Sequence, residues 1–140
     1  MTSSFDVSVP ADGDYATAYD IWADNHAYEV MIWTNQQGAV SPIASAYDGN
    51  GPIPEESGVV LGGHTWNIYR GSNGSNAVFS FVRTGDTNSG DVDVLAVLTW
   101  LRTQGWWADV TIDDVEFGFE LTGTAGRSDF VCNDFVLDYR

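Results

Sequence analysis

Lysine is absent from this chain, and five arginines stand against 20 Asp and Glu, giving a net charge of −15. A surface that acidic repels phosphate backbones and anionic headgroups, so nucleic acid and membrane are poor partners. Cysteine is nearly absent too: Cys132 is alone, which rules out an internal disulfide. No apolar run reaches the roughly 18 residues needed to span a bilayer. The opening MTSSFDVSVP has no basic segment followed by an apolar one, so it does not read as a leader. The two histidines, His26 and His64, lie in loop-like stretches with no Gly-x-Ser-x-Gly elbow, which disfavours a Ser or Cys hydrolase. Zinc-ligand spacings are also missing.

What is present is alternation. Fifteen glycines and frequent turn signals break 140 residues into short stretches, a pattern that favours one all-β domain, a sandwich or barrel, over 1–140. The expected strands are Tyr15–Trp22, Tyr28–Asn35, Thr65–Arg70, Ala77–Val82, Thr111–Leu121 and Phe130–Tyr139. Asn73-Gly74 between two alternating runs predicts a tight reversal. Asn73-Gly74-Ser75 is also a glycosylation sequon, but the turn accounts for it. Ser45–Gly58 reads as a polar loop.

One helix interrupts the strands. Asp91 or Asp93 can cap it, Val94, Leu98 and Leu101 recur on one face, and Gly105 can end it. The preceding Asp86–Asp93, DTNSGDVD, spaces oxygen ligands as a hard-cation loop does, though without the completing bidentate Glu; a polar turn leading into the cap explains the same residues.

The carboxylates say more. Strand side chains alternate between two faces, so Glu29, Met31, Trp33 and Asn35 share one side while Val30, Ile32 and Thr34 share the other. In Val115–Leu121 the apolar Val115, Phe117, Phe119 and Leu121 oppose Glu116, Gly118 and Glu120. If both strands belong to one sheet, Glu29 and Glu120 face each other across a groove, with Gly118 leaving room for a ligand. Paired carboxylates beside aromatic rings suit glycoside hydrolysis; a solvated outer face of a sandwich is the competing reading.

Two motifs together resemble glycoside hydrolase family 12: EVMIWTN (Glu29–Asn35), close to that family's Glu-[Ile/Leu]-Met-Ile-Trp strand, and FGFE (Phe117–Glu120), like its Gly-x-Glu second acid. AYDIW (Ala18–Trp22), Gly62–Val82 and the single helix extend the likeness over nearly the whole chain from about Ser4. The resemblance implies a β-jelly roll of two antiparallel sheets with a concave cleft. It also implies a retaining endo-β-1,4-glucanase with Glu29 as nucleophile, Glu120 as general acid/base and Asp20 supporting the nucleophile. Met31, Trp33 and Trp22 are then expected to contact sugar. The expected partner is a β-glucan polysaccharide, with no metal and no organic cofactor, in a secreted protein that is a monomer if its domain is complete. Some family members prefer xyloglucan. The likeness begins well inside the family pattern, implying a domain that lacks its N-terminal third, for which an impaired, glycan-binding sandwich is the alternative.

The lack of lysine beside excess Asp resembles proteins of brines, where salt screens self-repulsion over a few Å. Raising KCl from about 0.1 M to molar levels is therefore expected to raise the melting temperature. A temperature that stays flat or falls contradicts the halophilic reading.

Overall fold

The computed structural model describes residues 1–123 and 129–140. Its larger sheet has six strands in the order β10 (Ile112–Gly123), β2 (Asp14–Ala23), β3 (Tyr28–Gln37), β8 (Ala77–Arg83), β7 (His64–Ser72), β6 (Glu56–Leu61). All neighbours run antiparallel except β3 and β8, which pair in parallel from Tyr28↔Ala77 to Trp33↔Val82. Facing it is a three-stranded antiparallel sheet ordered β11 (Val131–Asp138), β1 (Thr2–Ser8), β9 (Ser89–Val92). A two-residue ladder, β4 (Tyr47–Asp48) with β5 (Gly51–Pro52), sits within the stretch expected to be a loop.

Each of the six expected strands forms, within about two residues of the boundaries read from alternation. Besides the short β4–β5 ladder, three strands were not anticipated. β1 has only Phe5 and Val7 as apolar residues, β9 is SGDV, and β6 begins Glu-Ser-Gly. Their Ser, Gly and Asp content favours turns, and it is pairing with neighbours that makes them extended. The Asp86–Asp93 stretch likewise supplies structure: Asp86 Oδ1 accepts from Gln36 N at 3.1 Å, residues 89–92 form β9, and Asp93 caps the helix. Among the described residues no group of three or more His, Cys, Asp or Glu is placed to hold a metal ion.

The one helix, α1 (Val94–Thr103), starts at Asp93, whose Oδ1 accepts from Ala96 N at 3.0 Å. Val94, Val97, Leu98 and Leu101 face inward, and Gly105 follows its end at φ 73°. The β7–β8 reversal is built on Asn73, whose Oδ1 accepts from the backbone of Ser75 at 2.9 Å and Asn76 at 3.0 Å, with Gly74 at φ 92°. This local ring closure is why an Asn-Gly pair turns the chain here.

Between the sheets lies the main core: Tyr19 and Ile21 from β2, Val30 and Ile32 from β3, Ile68 and Phe81 from β7 and β8, and Phe5 and Val92 from the smaller sheet. A polar chain crosses it, Tyr19 hydroxyl to Ser3 Oγ at 2.8 Å and Ser3 Oγ to Val136 O at 2.7 Å. Burial pushes the Tyr19 phenol up to about 12, so it stays a donor. Since β2 and β3 bury these alternate residues inward, the residues between them must face the opposite side.

Replacing the helix cap tests the local reading: Asp93→Ala is expected to lower unfolding free energy by about 1 kcal/mol in urea melts, while Asp93→Asn stays near wild type. An unchanged midpoint in Asp93→Ala contradicts it.

Candidate active site

The outward face of the larger sheet is set by register. Glu29 pairs with Trp22, Met31 with Asp20, and Trp33 with Ala18 across β3 and β2. On the other flank of β2, Glu116 lies opposite Asp20, Gly118 opposite Ala18, and Glu120 opposite Ala16. Beyond β3, Met31 adjoins Ser80 and Ser80 adjoins Tyr69. All six residues expected at the site thus share one face of one sheet.

A cleft cavity of about 150 Å³ opens there, lined by Ala18, Asp20, Met31 and the stretch Glu116 to Glu120. At Gly118 the cleft is open: an added Cβ would meet nothing within 4 Å. Along β10, Glu120 stands four residues beyond Glu116, about 13 Å of extended chain, and both are exposed. Glu116 is therefore the carboxylate that sits directly beside Asp20.

Asp20 is the most perturbed acid of the group. Its carboxyl is pushed up to about 7, first by burial, then by the charge of Glu29 and its shared hydrogen bond, and then by the charge of Glu116. A hydrogen bond from Trp22 works in the opposite direction. Asp20 Oδ1 is buried and without a partner, so the carboxyl is held by packing, by Glu29 and by Trp22 rather than by a ring of donors. One proton shared between two adjacent carboxyls is the expected outcome at neutral pH. Glu29 has a further contact that the sequence did not suggest: Asn76, from the β7–β8 turn, points Nδ2 at Glu29 Oε2 at 3.4 Å and also at Ala77 O at 3.3 Å.

The aromatic residues divide. Trp33 is only 2% exposed, packed with Ala16, Ala18, Val40 and Val82, and its Nε1 has no partner. It is part of a buried cluster rather than an open sugar platform. Met31 is partly buried and lines the cavity. Trp22, also partly buried, carries the His26 ring on it at 5.0 Å between centroids. His26 closes a three-residue turn, Asp24-Asn25-His26, with every φ positive at 52°, 55° and 65°. Asn, Asp and His are the non-glycine residues that tolerate this region best. The turn is tied down by Thr111 N to Asp24 Oδ1 at 2.7 Å and His26 N to Asp113 Oδ2 at 3.1 Å. His26 Nε2 lies 3.7 Å from Asp114 Oδ2.

Sequence reasoning placed Glu116 on the right face but gave it no part to play, and it missed Asn76 and His26. Alternation held the signal for Glu116. Nothing local marks Asn76 as more than a turn residue, because its contact is with a strand 47 positions away.

Residues 2–138 match the profile of Glycosyl hydrolase family 12. Endoglucanase S of Pectobacterium parmentieri is 33% identical over 146 residues, covering 92% of this chain and 51% of its own length. Xyloglucan-specific endo-beta-1,4-glucanase A of Emericella nidulans is 35% identical over 124 residues, covering 87% and 49%. Among solved structures, the xyloglucanase domain of NopAA, a type three effector from Sinorhizobium fredii in complex with cellobiose, aligns with TM-score 0.84 at 35% identity over 94% of this chain and 66% of that one. The chain spans about half the length of the curated relatives it matches. The sheet order, the two acid-bearing strands on one open face and a profile match running almost end to end agree: this chain belongs to glycosyl hydrolase family 12.

Proposed function

We propose that this chain hydrolyses β-1,4-linked glucans with retention of anomeric configuration. Glu29 Oε attacks the anomeric carbon as the carbon–oxygen bond to the leaving sugar breaks, and Glu120 gives that oxygen its proton. Water then attacks the same carbon, losing a proton to Glu120 and releasing Glu29. Asp20 hydrogen-bonds Glu29 and orients it. The observation that carries this reading is the common face: register directs Glu29, Asp20, Glu116 and Glu120 to the side of the sheet where Gly118 leaves open space. A retaining site brings its two carboxyls to about 5–5.5 Å across the scissile bond.

Met31 and Trp22 are the apolar surfaces offered to the sugar, with Trp33 supporting them from below. The acid pair does the chemistry without metal or organic cofactor. A polymeric substrate places the work outside the cell, by a monomer if the domain is complete. Mixed-linkage or cellulose-like β-glucan fits the open groove, and xyloglucan is a second candidate because two of the relatives above are named for it. A second reading follows from the chain's spanning only part of its relatives: the face holds β-glucan without cleaving it.

Reducing-end release from barley β-glucan, carboxymethylcellulose and xyloglucan separates these. Glu29→Gln is expected to abolish turnover, and Glu120→Gln to reduce it by about 10²–10⁴-fold on polymer, with far less loss on an aryl cellobioside whose leaving group needs no proton. Full activity in either variant removes its proposed role. Binding of cello-oligosaccharides with no release by the wild-type chain selects the second reading.

The proton on Asp20 predicts a pH limit. Below about 7 Asp20 is protonated and donates to the Glu29 carboxylate; above it two anions adjoin and the hydrogen bond is lost. Catalytic efficiency should therefore fall as pH rises through about 7, and Asp20→Asn should lose that limb. A limb unchanged in Asp20→Asn assigns it to another group.

A further inference from the structure

The carboxyls of Asp20 and Glu29 share a hydrogen bond, and what surrounds the pair is not symmetric. On one flank, Asn76 reaches in from the β7–β8 turn and offers an amide N–H to Glu29 Oε2 at 3.4 Å. On the other, Glu116 lies directly opposite Asp20 on β10 and lines the same cavity. An amide donor favours the ionised form of the carboxyl it touches, while a neighbouring anion favours the protonated form of the one beside it. We propose that Asn76 and Glu116 are positioning residues that act from opposite sides of the pair, Asn76 orienting the Glu29 carboxyl through its amide and Glu116 acting on Asp20 from across β10. The inference rests on the catalytic reading above for its meaning in turnover, but its physical content is an arrangement of side chains that exists without substrate.

One neighbour opposes this sense: from β2, Trp22 donates to Asp20 and favours its ionised form, but burial, Glu29 and Glu116 each outweigh it. From β3, Met31 stands beside Asp20 and is apolar; from β8, Val78 stands beside Glu29 and Ser80 beside Met31, neither charged. On β10, Glu120 is four residues along from Glu116, and Asp114, opposite Trp22, has His26 Nε2 at 3.7 Å. Arg70 is directed elsewhere, its guanidinium 4.8 Å from the Trp106 ring centroid. Asp20 is thus flanked by two carboxylates, while Glu29 alone receives an amide. The twist of the β7–β8 turn matters for the same reason: Asn73 Oδ1 accepts from the Asn76 backbone at 3.0 Å, which fixes where the Asn76 side chain starts.

The test is a carbon-13 NMR titration of side-chain carboxyls in the unliganded chain, run on wild type, Glu116→Gln, Asn76→Ala and Asn76→Ser, beside pH profiles of hydrolysis. In wild type, Asp20 should titrate near 7. Removing the Glu116 charge should lower that midpoint by about half a pH unit or more, moving the alkaline limb of activity with it. Removing the Asn76 amide should cost about three- to tenfold in kcat with little change in KM, and Asn76→Ser, which keeps a donor, should recover part of that loss. A purely structural role would lower the melting temperature while leaving the Asp20 midpoint and kcat in place. An Asp20 midpoint unmoved in Glu116→Gln, or a kcat unchanged in both Asn76 variants, overturns the proposal. If the Asp20 midpoint moves as expected while no variant, wild type included, cleaves glucan, the Glu116 assignment stands and the hydrolase reading fails.

Discussion

Everything at the site follows from the two-residue repeat of β2 and β3. Tyr19, Ile21, Val30 and Ile32 are driven between the sheets, where they meet Phe5, Phe81 and the helix. Burial of that many apolar groups fixes the register, because a slip of one residue would turn each of them outward. The same constraint forces Asp20, Trp22, Glu29 and Met31 to the opposite face. The carboxyl pair is consequently positioned by hydrophobic packing on the reverse side of its own strands, and its precision is as good as that packing.

That placement has an electrostatic cost which the molecule retains. Asp20 is partly buried beside Glu29, with Glu116 opposite, and it relieves the repulsion by keeping a proton up to about 7. Three of the four buried polar atoms without partners among the described residues, Asp20 Oδ1, Trp33 Nε1 and Ser80 Oγ, belong to this face of the sheet. Unsatisfied buried groups of this kind typically cost about 1–3 kcal/mol each. A sheet selected for stability alone has no reason to gather them beneath one groove, whereas a surface that must hold a poised acid pair does.

The readable part of this structure is the part that periodicity controls. β2, β3, β7, β8, β10 and β11 are long, alternate clearly, and were legible from the sequence, as was the capped helix after Asp93. β1, β6 and β9 were not, since Ser, Gly and Asp there resemble turns and only pairing with Val136, Trp66 or Phe5 holds them extended. At the site, alternation gave the shared face of Glu29, Glu116 and Glu120 but no information about rows. Which carboxylate stands beside Asp20 depends on the pairing of β10 with β2, and Trp33's burial depends on Val40 folding back over it. The Asn76 contact joins a turn to a distant strand, and the stacking of His26 on Trp22 depends on a run of left-handed residues. Both are products of three-dimensional closure rather than of local pattern.

The central proposal is that Glu29 forms a covalent bond to sugar on the sheet face it shares with Glu120. Trapping tests it most directly. Incubation with an activated 2-deoxy-2-fluoro-β-cellobioside, followed by peptide mass mapping, should give time-dependent inactivation and a single glycosyl adduct on Glu29. An adduct on Glu116, Glu120 or Asp20 instead, or continued hydrolysis with no adduct, would contradict the account.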